Sequence, residues 1–192
     1  MKRNSKTSLS VAILLASTLA ATAAHSAESG FFAEVGVGMT KVDTDLDNVP
    51  GVSVDDKDVF FSVGGGYSFN KMFALEAGYT DLGEVKVSVP QAAYTATLSA
   101  DGFYFGPRLT LELAPKFEVY GRLGMFAWDA EAKDSIGTAI SDDGTDIYFG
   151  IGAAYKISDQ VSLGADWTRF TVESDGDDAD IDTFGAKLKF NF

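Results

Sequence analysis

Apolar and polar side chains alternate with a period of two along most of this chain. The last eleven residues show it most clearly. Phe184, Ala186, Leu188, Phe190 and Phe192 fall on one side of an extended strand; Thr183, Gly185, Lys187, Lys189 and Asn191 fall on the other. A period of two predicts a strand with one apolar and one polar face. The same alternation recurs at about 31–41, 59–69, 72–82, 102–113, 117–128, 145–156 and 161–170, giving eight predicted strands. The apolar faces carry large side chains such as Phe31, Val37, Phe61, Phe105 and Leu123. The polar faces carry the charges and most of the glycines. Glycine there suits a narrow interior, although it weakens a strand.

The connections alternate in length. Asn70-Lys71, Ala114–Lys116 and Ser158-Asp159 are short turns, whereas the segments around 44–57, 84–100, 130–144 and 172–180 are long and polar. Three short and four long connections require eight strands with both chain ends on the short-turn side. That asymmetry is the mark of an outer-membrane barrel, with tight turns facing the periplasm and long loops outside. The second long segment itself alternates (Val85, Val87, Val89, then Tyr94, Ala96, Leu98), which predicts a hairpin projecting above the membrane. Pro107 lies mid-strand and cannot donate a ladder hydrogen bond, so a bulge is expected there. Tyr67, Phe69, Phe73, Phe117, Tyr155, Phe190 and Phe192 lie near the short-turn ends, where an interfacial aromatic girdle belongs. The fold expected is an all-β, eight-stranded antiparallel up-and-down transmembrane barrel.

The N-terminus adds a compartment. Met1–Lys6 is basic, an apolar stretch runs from Leu9 to about Ala24, and small residues crowd up to Ala27. This is the layout of a secretory signal peptide over residues 1–27, with the barrel domain over 28–192. Cleavage after Ala27 removes Lys2, Arg3 and Lys6, leaving 12 basic against 28 acidic side chains, a net charge of −16. Such a chain does not bind nucleic acid, which needs Lys and Arg against its phosphates. No cysteine is present, so disulfide and thiolate chemistry are excluded.

The residue inventory argues against an enzyme. His25 is the only histidine and belongs to the predicted leader, so no Ser-His-Asp or Cys-His arrangement and no histidine metal ligand can be built. No cofactor is called for. Asp43–Val54 opens like a calcium loop but has Asn48 where the turn glycine belongs and Val54 where the bidentate glutamate belongs. Acidic loops of this kind attract Mg²⁺ or Ca²⁺ diffusely, and those ions also bridge lipopolysaccharide phosphates. The most informative constellation faces inward. Counted from the short-turn ends, Glu34, Glu76, Arg108, Arg122, Asp166 and Lys187 fall at a similar depth, given a rise of about 3.3 Å per residue and a tilt near 45°. Three acids and three bases in one layer read either as a structural buried network or as a gate of switchable ion pairs.

The first strand at Phe31–Met39, the turn and strand Phe69-Asn-Lys-Met-Phe-Ala-Leu-Glu-Ala-Gly-Tyr79 and the ending Lys187-Leu-Lys-Phe-Asn-Phe192 resemble the small outer-membrane barrel superfamily of OmpA-like and OmpX-like proteins. The resemblance implies a Gram-negative outer-membrane location, a monomer, and an ending, Phe190 with Phe192, that the barrel-assembly machinery reads. No peptidoglycan-binding domain follows the barrel in this sequence. The implied partners are outer-membrane lipid and lipopolysaccharide, bridged by divalent cations. The implied role is structural or surface-interactive: envelope integrity, adhesion or host contact. Two alternatives stand beside it. One is a narrow channel for small solutes or ions, similar to OmpW-type proteins; the other is a soluble periplasmic lipocalin-like binder.

Overall fold

The computed structural model describes residues 29–42, 53–55, 57–89, 94–135, 138–174 and 177–192. The predicted leader and the calcium-like segment up to 52 lie outside the described residues. The strands are β1 (Gly30–Val42), β2 (Ser53–Asp55), β3 (Lys57–Ser68), β4 (Phe73–Val89), β5 (Tyr94–Ala114), β6 (Phe117–Asp134), β7 (Ala139–Lys156), β8 (Val161–Ser174) and β9 (Asp177–Asn191). The sheet order is β4-β3-β1-β9-β8-β7-β6-β5, and β5 pairs back with β4. Every pairing is antiparallel. The expected eight-stranded barrel is therefore closed, with β2 as a short addition on β4 at Lys86–Ser88. Closure leaves no free edge in the membrane, where an unpaired backbone group has no water to bond.

The usual arrangement of a soluble fold is inverted. The large apolar residues are on the outside: Phe31 is 67 % exposed, and Val37, Phe105, Leu123 and Ile151 are exposed with it. Glu34, Glu76, Arg108 and Lys187 are buried inside. This disposes of the lipocalin-like alternative, whose interior must be apolar to hold its ligand. At the short-turn end, ring contacts link Phe31, Tyr67, Phe69 and Phe73 at centroid distances of 5.0–5.5 Å. Phe190 and Phe192 meet edge to face at 5.1 Å.

Two expectations need correction. Pro107 makes no bulge. On one side it pairs in register with Leu75. On the other, the ladder to β6 skips Gly106 and Pro107 and resumes at Arg108↔Arg122 in the register set by Phe105↔Met125. The missing N–H costs a rung, but no residue is inserted. The register instead shifts between Asp81 and Glu84 and between Glu112 and Ala114. The first shift falls at Gly83, whose φ of 81° suits only a residue without a Cβ. The second correction concerns the segments around 130–144 and 172–180, which are mostly strand: β6 and β7 pair out to Lys133↔Ala139, and β8 and β9 to Ser174↔Asp177. Polar composition marks solvent on both faces here, and the backbone ladder continues regardless. The hairpin expected at 84–100 is present, β4 and β5 pairing out to Val89↔Tyr94.

Above the membrane the wall divides. Pairing of β7 with β8 ends at Tyr148↔Phe170, and pairing of β3 with β4 ends at Phe61↔Asp81. One leaf then holds β2, β4, β5, β6 and β7; the other holds β3, β1, β9 and β8. An aspartate crosses each seam. Asp58 Oδ2 accepts the Glu84 amide at 2.7 Å, and Asp146 Oδ2 accepts the Glu173 amide at 3.0 Å.

Candidate functional site

The lumen is filled at two levels. The lower layer contains all six charged residues singled out from the sequence, and every one is buried. Glu34 sits at its centre. Its Oε2 accepts from Arg108 Nη1 at 2.8 Å and its Oε1 from Lys187 Nζ at 3.1 Å, with Arg122 Nη1 at 3.7 Å. Asp166 Oδ2 lies 3.3 Å from Lys187 and 3.6 Å from Arg122. Glu76 lies 3.5 Å from Arg122 and 3.8 Å from Arg108. The residues reach one another because the alternation sends each inward and the register puts them at one height. Arg108 is opposite Arg122 on the neighbouring strand, for example. Two arginines facing each other would repel if the acids did not sit between them.

Aromatic rings complete this layer. Arg108 lies 3.6 Å over the Tyr120 ring, and Arg122 lies 5.5 and 5.8 Å from the Tyr104 and Tyr148 rings. The Tyr148 hydroxyl donates to Glu76 Oε1 at 3.2 Å, and Arg122 Nη2 donates to Thr168 Oγ1 at 3.1 Å. Arg122 Nε and Asp166 Oδ1 find no hydrogen-bond partner among the described residues, so charge as well as hydrogen bonding holds the layer.

The upper layer was not anticipated. Toward the long-loop end, Leu82, Tyr104, Phe126, Trp128, Tyr148, Phe170, Val172 and Ile181 form one buried cluster. Phe126 packs on Phe170 at 4.6 Å and Tyr148 stacks on Phe170 at 5.7 Å. Trp128 donates from Nε1 to Asp146 at 2.7 Å, which satisfies the indole N–H inside the stopper. Lumen-facing glycines make room for these rings. A Cβ on Gly78 would lie 2.5 Å from the Tyr104 hydroxyl, and one on Gly144 would lie 2.6 Å from the Trp128 ring. The signal was present in the sequence: Tyr104, Phe126, Trp128, Tyr148 and Phe170 occupy positions of inward parity.

Outside the barrel, Asp81, Asp101, Asp129 and Asp143 stand directly opposite one another across β4, β5, β6 and β7. The Tyr79 hydroxyl donates to Asp101 at 2.7 Å. The other half of the rim is charge-balanced: Lys41 is opposite Asp182, and Arg169 donates to Asp182 and Asp180 at 2.7–2.8 Å. Among the described residues no group of three or more His, Cys, Asp or Glu is placed to hold a metal ion.

A closed antiparallel barrel with an apolar outer band and a charged, filled interior defines a small integral protein of the outer membrane. The chain belongs to the outer membrane protein beta-barrel domain family, whose model matches residues 10–192. A curated relative, outer membrane protein A of Escherichia coli O157:H7, is 31 % identical over 108 residues. That match covers 54 % of this chain and 30 % of the relative's length. The fold is shared with solved barrels of low sequence identity. Ail of Yersinia pestis, solved with the heparin analogue sucrose octasulfate, aligns with a TM-score of 0.57 at 18 % identity, covering 86 % of this chain and 99 % of Ail. The N-terminal barrel domain of Pseudomonas aeruginosa OprF gives 0.59 at 12 % identity, covering 86 % and 100 %.

Proposed function

We propose that this protein is a plugged barrel with a structural or surface-interaction role in the outer membrane: envelope integrity, adhesion or host contact. The observation that carries the reading is the double filling of the lumen, by paired charges below and by packed rings above. Eight strands leave an interior about wide enough for side chains alone, and here side chains use it. An open channel would need a continuous water path, and a catalyst would need a nucleophile or base in a cleft. The resting protein conducts little. Planar-bilayer recording tests this: an absence of porin-like conductance is expected, and a sustained wide-pore conductance would overturn it. A small gated current would favour the narrow-channel reading instead.

The chemistry of the outer rim bears on the partner. Ail was solved with a polysulfated ligand. In this chain the β4–β7 half of the rim presents carboxylates, which repel sulfate. A basic surface fits better, as do lipopolysaccharide phosphates screened by Mg²⁺ or Ca²⁺ held diffusely. Chelation with EDTA should then loosen the association with lipopolysaccharide. Residues 1–27 act as the export signal, Phe190 and Phe192 as the ending read during assembly, and the folded protein is a monomer. Deleting Phe192 should lower the folded outer-membrane fraction, and normal assembly of the deletion would remove that role.

A further inference from the structure

At the short-turn mouth, below the charged layer, the barrel opens into a vestibule of about 400 Å³. Its lining includes Lys71, Lys156 and Lys189 together with Glu112, Glu118 and Asp159. The charges balance in number but not in geometry. Lys156 reaches Glu112 at 2.8 Å and Glu118 at 3.5 Å and so occupies both glutamates. Lys189 is left over. Its register neighbours are Ser162 on β8 and Glu34 on β1, and both Glu34 oxygens are taken by Arg108 and Lys187 in the layer above. Among the described residues Lys189 has no carboxylate partner; its ammonium lies 4.5 Å from the centre of the Phe32 ring. A partly buried ammonium facing a polar cavity attracts an anion, because an ion withdrawn from water costs free energy until it is paired.

We propose that this vestibule binds a small monoanionic carboxylate. The carboxylate pairs with Lys189 and accepts from the hydroxyl of Ser162, the buried serine opposite it. Glu112, Glu118 and Asp159 set the charge class. They tolerate one negative charge beside Lys189 and disfavour a dianion such as phosphate. A cavity of this volume falls within the range of small-ligand pockets, about 300–1,000 Å³. The vestibule faces the opposite side of the membrane from the rim carboxylates, so this site is independent of the surface role proposed above.

The test is a titration of the folded, lipid-embedded protein with benzoate, followed by amide NMR. Saturable shifts at Phe32, Ser162 and Lys189 are expected. Lys189→Met keeps the length of the side chain and removes the charge. It should weaken binding by about tenfold or more, the equivalent of one charged hydrogen bond. Lys71→Met, at the rim of the vestibule, should leave affinity within about threefold, well under one such bond. Because Lys189 holds no carboxylate in place, Lys189→Met should fold, shown by retained heat-modifiable migration. Benzoate should raise the unfolding midpoint of the wild type and not that of this variant. The site is overturned by an unsaturable wild-type titration, by Lys189→Met binding as tightly as wild type, or by loss of the fold in that variant. Phosphate binding tighter than benzoate would overturn the carboxylate assignment.

Discussion

The lower and upper halves of the lumen solve one packing problem by opposite means. Below, Glu34, Glu76 and Asp166 interleave with Arg108, Arg122 and Lys187. Above, Phe126, Tyr148, Phe170 and Trp128 pack as a hydrocarbon core does. The difference lies in what happens when one member is lost. Removing a ring leaves a cavity whose neighbours can partly relax. Removing a charge leaves its partners buried and unneutralised, which is costlier. The barrel thus has a robust stopper above a brittle one.

Arg122→Ala should break the lower layer most severely. It strips Glu76 and Asp166 of a partner and should cost about 3–5 kcal/mol in a reversible folding titration into lipid vesicles. Conductance should rise at the same time and prefer cations, since Arg122 also backs the Tyr104 and Tyr148 rings of the layer above and the freed carboxylates line the path. Unchanged conductance with unchanged stability would show that the layer seals nothing. Phe126→Ala, one layer up, should cost about 3–4 kcal/mol for a lost buried aromatic. It should leave conductance as it was, because the charged layer below is intact; a leak equal to that of Arg122→Ala would erase the distinction between the layers.

Leu123→Arg moves the comparison through the wall. Leu123 is 54 % exposed on the outer face, next in sequence to buried Arg122. An arginine at 123 faces lipid without a carboxylate and should cost about 2–4 kcal/mol. A cost near zero would mean that this face is wet. The smallest effect concerns the rim. Asp129→Asn relieves repulsion from Asp101 and Asp143, its direct cross-strand neighbours. It should stabilise by about 0.2–1 kcal/mol at low salt. The gain should shrink as salt screens the row, and a gain independent of salt would point to another cause.

The lower layer was legible in the sequence and the upper one was not, for a physical reason. A charge on the inward face of a barrel has to find its opposite, so Glu76 and Arg122 identify themselves by type and depth. An aromatic on the same face looks like an error in the alternation. Phe126 and Trp128 interrupt the polar face rather than define it, and their meaning depends on which glycine lies on the neighbouring strand, Gly102 or Gly144. The strand count and closure followed from alternation and loop asymmetry. Of the extensions beyond the membrane, the β4–β5 hairpin keeps its alternation and was legible; those of β6–β7 and β8–β9 were not, because segments wet on both faces lose the period-two signal while keeping their hydrogen bonds. Pro107 is the reverse case, a residue whose local rule is clear but whose effect, a skipped rung, depends on the neighbouring strand.

The seams above Tyr148 and Phe61 have a consequence for motion. Below them the wall is one cylinder, and its amides exchange with solvent only when the whole structure opens. Above them two leaves stand side by side; among the described residues an aspartate bonds across each seam, Asp58 or Asp146, and the ring cluster joins Phe170, Val172 and Ile181 of one leaf to Leu82, Phe126 and Trp128 of the other. A leaf edge without a backbone ladder opens more often than a strand held by one. The amides of β7 that point across its seam above Tyr148 should therefore exchange as a separate, faster unit than those of the closed cylinder below, which hydrogen-exchange measurements on the lipid-embedded protein would show.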